Sequence, residues 1–133
     1  MINLEGQVAI ITGGAQGIGE GVCKVFCDAG ATVALWDVRD SGAETAAKLK
    51  DDGGKIFFQK VDITNREAVD AAVNEIISAH SKIDILINNA GIVRDKSILK
   101  MTQEEWDAVI NVNLSSLFTT TQAVLPHMRE ARY

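Results

Sequence analysis

Short apolar runs alternate along the chain with longer stretches in which apolar residues return every three or four positions. The first run, Gln7-Val8-Ala9-Ile10-Ile11-Thr12, is continuously apolar at its centre, the pattern of a strand covered on both faces. It ends in Gly13-Gly14-Ala15-Gln16-Gly17-Ile18-Gly19. A helical stretch then reaches about Ala29, with Gly30 placed to close it. Ala31-Thr32-Val33-Ala34-Leu35-Trp36 reads as the second strand, ending at Asp37, and Lys55-Ile56-Phe57-Phe58-Gln59-Lys60-Val61 as the third. Asp84-Ile85-Leu86-Ile87-Asn88 reads as the fourth.

Three Ser/Thr-x-x-Glu spacings, Ser41 with Glu44, Thr64 with Glu67 and Thr102 with Glu105, predict capping boxes that open the helices between and after these strands. The first of these helices runs to about Lys50 and is broken by Asp51-Asp52-Gly53-Gly54. The second carries Val69, Val73, Ile76 and Ile77 on one face. After Asn89-Ala90-Gly91 and a loop through Arg94, Asp95 and Lys96, the last helix runs from Gln103 to near the end of the sequence, with Pro126 expected to kink it.

Strand–helix alternation of this kind implies parallel strands joined by right-handed crossovers. The predicted architecture is a doubly wound α/β sheet of order 3-2-1-4 forming one domain over residues 1–133. Trp106, Val109, Ile110, Leu114, Leu117 and Phe118 give the last helix apolar residues on more than one side. One side is expected to meet the sheet, the other a further part of the fold or a partner subunit.

Composition narrows the function. Eighteen acidic against thirteen basic residues give a net charge of −5, which argues against a nucleic-acid binder. A small phosphate-bearing ligand remains open, because backbone N–H groups at a helix N-terminus bind phosphate without Lys or Arg. The opening Met1-Ile2-Asn3-Leu4-Glu5-Gly6 has no basic segment followed by an apolar one, and no apolar run is long enough to span a bilayer, so a cytoplasmic protein is expected. Cys23 and Cys27 lie four apart on one helical face; as a redox or metal pair they lack further Cys or His partners, and two small buried apolar side chains are the plainer reading. His80 and His127 are each isolated and suit helix-end or surface positions. Arg129 and Arg132 could meet an acidic carrier protein, although cations at a helix C-terminus are common for dipole reasons alone.

Four features, each at the end of a strand, carry candidate chemistry. Thr12-Gly13-x-x-x-Gly17-Ile18-Gly19 joins strand to helix, where glycines allow a tight turn and let backbone approach a pyrophosphate. Asp37 follows the second strand, where a carboxylate can accept from adenosine ribose hydroxyls and repel a 2′-phosphate. That favours NAD over NADP, with Arg39 as a complication, since an arginine there can pair with the phosphate. The blander reading of Asp37 is a solvated turn. Asp62-Ile63 after the third strand is by itself an ordinary turn. Asn88-Asn89-Ala90-Gly91 closes the fourth strand beside the first, where the strand order reverses; its amides could equally bond only to backbone.

Together with Trp106 and Asn111-Val112-Asn113-Leu114, these features resemble the short-chain dehydrogenase/reductase family across essentially the whole sequence. Gly91-Ile92-Val93-Arg94-Asp95 and Asn113-Leu114-Ser115-Ser116 are similar to its 3-oxoacyl-[acyl-carrier-protein] reductase group. The resemblance implies an NAD(H)-dependent oxidoreductase acting on an alcohol/carbonyl pair, with a 3-oxoacyl thioester as one candidate substrate and a dimer or tetramer built on the last helix. It implies that Gly13, Gln16, Gly17, Ile18 and Gly19 cradle pyrophosphate, that Asp37 holds the ribose, and that Asp62 and Ile63 contact adenine. Asn89, Ala90 and Gly91 would line the cofactor. Asn113 would be the catalytic Asn, holding a helix kink and a water in a proton relay; a helix-interior polar residue bonded to backbone is the plainer reading. No metal is implied.

The family's catalytic Ser and its Tyr-x-x-x-Lys pair have no counterpart in these 133 residues, whose only tyrosine is Tyr133. Residues 127–133 resemble the turn before the strand that bears that Ser. The sequence therefore reads as the cofactor-binding half of such an enzyme, expected to be inactive alone, or else as a non-catalytic dinucleotide-binding module or a fragment that works with another polypeptide. As the expected outer strand, the fourth would have one edge left unpaired.

Overall fold

The computed structural model describes residues 1–132; Tyr133 lies outside the described residues. Four parallel strands, β1 (Val8–Thr12), β2 (Thr32–Asp37), β3 (Lys55–Lys60) and β4 (Ile85–Ile87), form one sheet in the order β3-β2-β1-β4, as the sequence predicts. In register, Ile10 lies opposite Ala34 on one side and Leu86 on the other, which makes β1 a central strand.

The continuous apolar runs are explained by two cores. Val8, Ile10, Ala34 and Trp36 face one side of the sheet and pack against Val69, Val73 and Ile76 of α3 (Arg66–His80) and Val124 of α5 (Ser116–Glu130). Ile11, Val33 and Leu35 face the other and pack against Cys23 of α1 (Gly17–Asp28) and Ala46 and Leu49 of α2 (Ser41–Asp51). Alternate residues of one strand thus point into different cores, so polar positions have no place at the strand centre. α3 buries Val69, Val73 and Ile76 as expected, with Ile77 partly buried beside them. α1 closes as predicted: Gly30 takes φ +93°, its N–H bonds to Cys27 and that of Ala31 to Phe26.

The local expectations need four corrections. The box at Thr102 forms, with Glu105 N–H donating to Thr102 Oγ1 and Thr102 N–H donating to the Glu105 carboxylate in α4 (Gln103–Ile110). The other two boxes do not. Ser41 is already the first residue of α2, preceded by Asp40 in helical conformation without a side-chain cap. At α3 the cap is Asn65, whose Oδ1 accepts from Ala68 N–H, because Thr64 is held in a turn by Asp62. Finally, the long last helix is two helices. A π-helical turn over Asn111–Ser115 separates α4 from α5, so the irregularity falls there, whereas Pro126 lies inside α5. β4 is also shorter than predicted: Asp84 precedes it and uses its side chain to accept from Val8 N–H. No helix among the described residues is long and apolar enough to cross a membrane.

Candidate functional site

The C-terminal ends of all four strands open into one cleft of about 380 Å³. It lies where the chain's progress reverses, β2 to one side of β1 and β4 to the other, the position at which doubly wound sheets bind ligands. Gly13, Gln16, Gly17, Ile18, Gly19, Asp37, Asp62, Ile63, Asn89, Ala90 and Gly91, the residues singled out in the sequence, all line it. Trp36, Val38, Arg39, Val61, Ile92 and Val112 complete the lining.

The glycine-rich loop is tied from both sides. Gly14 N–H bonds to Trp36 O, Ala15 N–H donates to Asp37 Oδ2 at 3.0 Å, and Ala15 O accepts from the buried Thr45 hydroxyl at 2.8 Å. From the β4 side, Asn89 Nδ2 donates to the carbonyls of Thr12 (3.0 Å) and Gly13 (3.2 Å). Thr12 Oγ1 accepts from the N–H groups of both Asn89 and Ala90 at 3.0 Å. The crowding explains two glycines. Gly13 has φ +68°, and a Cβ there would stand 2.8 Å from Ala90 Cα. At Gly19 a Cβ would collide with the Gly13 carbonyl and lie 2.6 Å from Asn89 Nδ2.

What this builds is a helix N-terminus open to a ligand. Gln16 is the N-cap of α1, yet no side chain caps that helix. The amides of a first turn have no intrahelical acceptor, and with the helix dipole they favour an anion. The uncapped helix end, above a glycine turn packed too closely against Asn89 and Ala90 to carry side chains at Gly13 and Gly19, fits the pyrophosphate of a dinucleotide.

Other expected residues divide between cleft and scaffold. Asp37 spans both: Oδ2 holds Ala15, and Oδ1 accepts from Arg39 N–H at 3.0 Å. Asp62 lines the cleft while its Oδ1 accepts from the Thr64 N–H and hydroxyl, so the turn role is present as well. Ile63 is largely buried in the core. Asn88 is no part of the cleft; its Oδ1 accepts from Thr120 at 2.7 Å and ties β4 to α5. Asn113 sits in the π turn and clasps Ile92 twice, accepting from its N–H at 2.8 Å and donating to its carbonyl at 2.9 Å. The clasp fixes the strand end beyond Gly91 as one wall of the cleft.

Thr12, Thr45 and Thr120 carry much of this network; Thr12 was read only as the start of the glycine motif and the other two were not singled out in the sequence, where a buried threonine in a strand or helix gives no signal of its partner. Cys23 and Cys27 are free thiols. Burial pushes the Cys23 thiol up to about 12 and raises that of Cys27 as well, so both are poor nucleophiles at neutral pH. His80 stacks on Phe57 with ring centroids 5.4 Å apart. Among the described residues no group of three or more His, Cys, Asp or Glu is placed to hold a metal ion.

Comparison with known proteins agrees with this geometry. Residues 7–133 match the short chain dehydrogenase family. A 3-oxoacyl-[acyl-carrier-protein] reductase of Chlamydia pneumoniae is 40% identical over 132 residues, 98% of this chain and 53% of that protein. One of Thermotoga maritima is 39% identical over 98% of this chain and 54% of its own length. A cyclopentanol dehydrogenase of Comamonas testosteroni is 37% identical over 94% of this chain and 50% of its own length. Among solved structures, a metagenomic short-chain oxidoreductase in complex with NADP superposes with a TM-score of 0.90 at 31% identity, covering 96% of this chain and 59% of that one. The chain spans about half the length of the curated relatives it matches.

Proposed function

The chain belongs to the short-chain dehydrogenase family, and from that premise we propose that it is the dinucleotide-binding half of an oxidoreductase acting on an alcohol/carbonyl pair. One observation carries the reading: residues from the ends of four strands line a single cleft under the uncapped N-terminus of α1. In this reading the α1 amides and the Gly13–Gly19 loop hold the pyrophosphate. Asp37 meets the adenosine ribose, and Asp62 and Ile63 flank the adenine. Asn89, Ala90 and Gly91 line the path toward the reacting ring. When bound, the nicotinamide gives or accepts the hydride; the protein's part is to orient it and exclude water. Asn113, held by Ile92, acts as a positioning residue for that wall. The Asp37 carboxylate favours NAD(H).

A 3-oxoacyl thioester is the proposed substrate class for the whole enzyme, on the strength of the reductase relatives. Reduction of a carbonyl needs a proton donor at the developing alkoxide. The 133 residues hold no Tyr-x-x-x-Lys, which favours, for this chain by itself, binding without turnover.

Calorimetric titration of the chain with NADH tests the reading. Saturable binding is expected, and Gly19→Val, whose side chain would fill the space taken by the Gly13 carbonyl, should abolish it. A chain folded by circular dichroism that binds no dinucleotide, or whose Gly19→Val variant binds as well as the parent, would overturn it.

A further inference from the structure

A Ser or Thr hydroxyl inside a helix commonly returns to the carbonyl four residues back, as Ser116 does to Val112 O. Thr45 of α2 is buried as well, but its hydroxyl lies 3.3 Å from Ser41 O and 2.8 Å from Ala15 O, outside its own helix. A hydroxyl has one proton to give, and the shorter contact places it on Ala15. The Ala15 N–H is taken too, by Asp37 Oδ2 at 3.0 Å. Both polar groups of Ala15 are therefore turned into the protein, the carbonyl to α2 and the N–H to the end of β2.

That fixes the direction of the peptide that follows. The C=O of Ala15 and the N–H of Gln16 belong to one planar unit, trans like every peptide bond among the described residues, and in a trans unit the two point opposite ways. With the carbonyl drawn to Thr45, the Gln16 N–H points away from α2. Gln16 lines the cleft, and as the N-cap of α1 its N–H has no acceptor within that helix. Its side chain caps nothing either, because Oε1 accepts from Arg39 Nη1 at 2.7 Å. Without the Thr45 hydroxyl the Ala15 carbonyl loses its buried donor. Rotation of the freed peptide would then bring an oxygen, with its partial negative charge, to the place of the N–H.

Resting on the reading that the cleft binds a nicotinamide dinucleotide, we infer that Thr45, from α2 and outside the cleft, is a positioning residue for the ligand's phosphates: it holds the Ala15–Gln16 peptide with its N–H toward the anion and its carbonyl away. The Gln16 N–H donates to a phosphate oxygen beside the first-turn amides of α1. Thr45 touches no ligand; it acts through the Ala15 carbonyl, and the hydroxyl, not the methyl group, is the part that acts.

The test follows backbone amides of the full, ¹⁵N-labelled chain by NMR during titration with NADH, alongside calorimetry, in the parent, Thr45→Val and Thr45→Ser. In the parent the Gln16 amide proton should move downfield on saturation, the signature of a hydrogen bond formed to an anionic oxygen. Thr45→Val keeps the shape of the side chain and removes the donor. It should lower NADH affinity about tenfold, the scale of one hydrogen bond to a charged group. It should also remove the downfield shift at Gln16, while the amides of Ile63 and Gly91, elsewhere in the cleft, still respond. Thr45→Ser keeps the hydroxyl and should keep both the affinity and the shift. Three results would each overturn the inference: a Gln16 amide that does not move in the saturated parent, a Thr45→Val chain that binds as tightly as the parent, or equal losses in Thr45→Ser and Thr45→Val, which would make the role one of packing. The parent amide decides the matter even where Thr45→Val fails to fold. If the folded parent binds no NADH at all, it is the dinucleotide reading of the cleft that fails, and the inference with it.

Discussion

At the scale of single residues, the cleft is held by side chains that serve backbone. Thr12 is fully buried, and its hydroxyl accepts from two consecutive N–H groups, those of Asn89 and Ala90. Thr12→Val keeps shape and volume but leaves both donors unmet, at about 1–3 kcal/mol for each buried orphan. Thr12→Ser keeps the acceptor and should lose far less. Urea unfolding of the two variants measures the difference, and equal losses would show that the methyl group, not the hydroxyl, is what the site uses. The same distinction explains what could be read from the sequence. Gly13, Gly17, Gly19, Asp37 and Asn89 announce themselves because a strand, a glycine turn and a helix succeed one another in a fixed spacing. The contacts of Thr12, Thr45 and Thr120 do not, because their partners Asn89, Ala15 and Asn88 lie 30 or more residues away, and only the fold brings them together. Arg39 was legible as a charge beside Asp37, but its bond to Gln16 was not.

At the scale of elements, strand positions were clear because two-sided burial demands an unbroken apolar run, whereas helix starts were not. Ser41-x-x-Glu44, Thr64-x-x-Glu67 and Thr102-x-x-Glu105 share one spacing, yet only the last forms the box. Asp62 takes Thr64 into its own turn, which moves the cap to Asn65. Such competition between local side-chain bonds is decided by the incoming chain direction, which the spacing does not contain. The box that forms also fastens a loop: Lys96 lies 2.6 Å from Glu105, and that contact, with the Thr102 N–H, holds the Glu105 carboxyl below its ordinary value of 4.5. A carboxylate whose value is depressed on folding contributes stability above its unfolded value and loses it as the pH falls through the folded one. The stability of the parent over Glu105→Gln should accordingly be greatest near neutrality and shrink as the pH falls below about 4, where the unfolded chain takes up the proton before the folded one does. Urea midpoints at pH 6.5 and 3.5 would show it; a difference that does not change with pH would mean the glutamate acts by packing alone.

At the scale of the whole molecule, the sheet order was legible from strand–helix alternation, because right-handed crossovers leave few ways to wind four parallel strands. The two-helix ending was not legible in the apolar pattern, since the turn at Asn111–Ser115 has no Gly or Pro to mark it; only the resemblance implied a kink, at Asn113, and the clasp of Asn113 on Ile92 is the tertiary contact found there. What the apolar pattern did foretell is a second face. α3 and the sheet cover Val124 of α5, while Trp106 (50% exposed), Leu114 (60%) and Phe118 (68%) remain open to solvent. Large aromatic and aliphatic side chains left exposed along this stretch of helix mark a contact rather than a solvated face. Two coverings are possible, more of the fold or a second subunit, and they differ in what a charge would do. If two copies meet through this face about a two-fold axis, each places its Phe118 in the same contact, so Phe118→Asp puts a buried charge into both sides of the interface at once. We expect the chain to associate into dimers at micromolar concentration in sedimentation experiments, and Phe118→Asp to remain monomeric with an unchanged circular dichroism spectrum. A parent chain that stays monomeric at those concentrations would instead assign the exposed face to intramolecular cover, and the variant would then leave the sedimentation behaviour as it was.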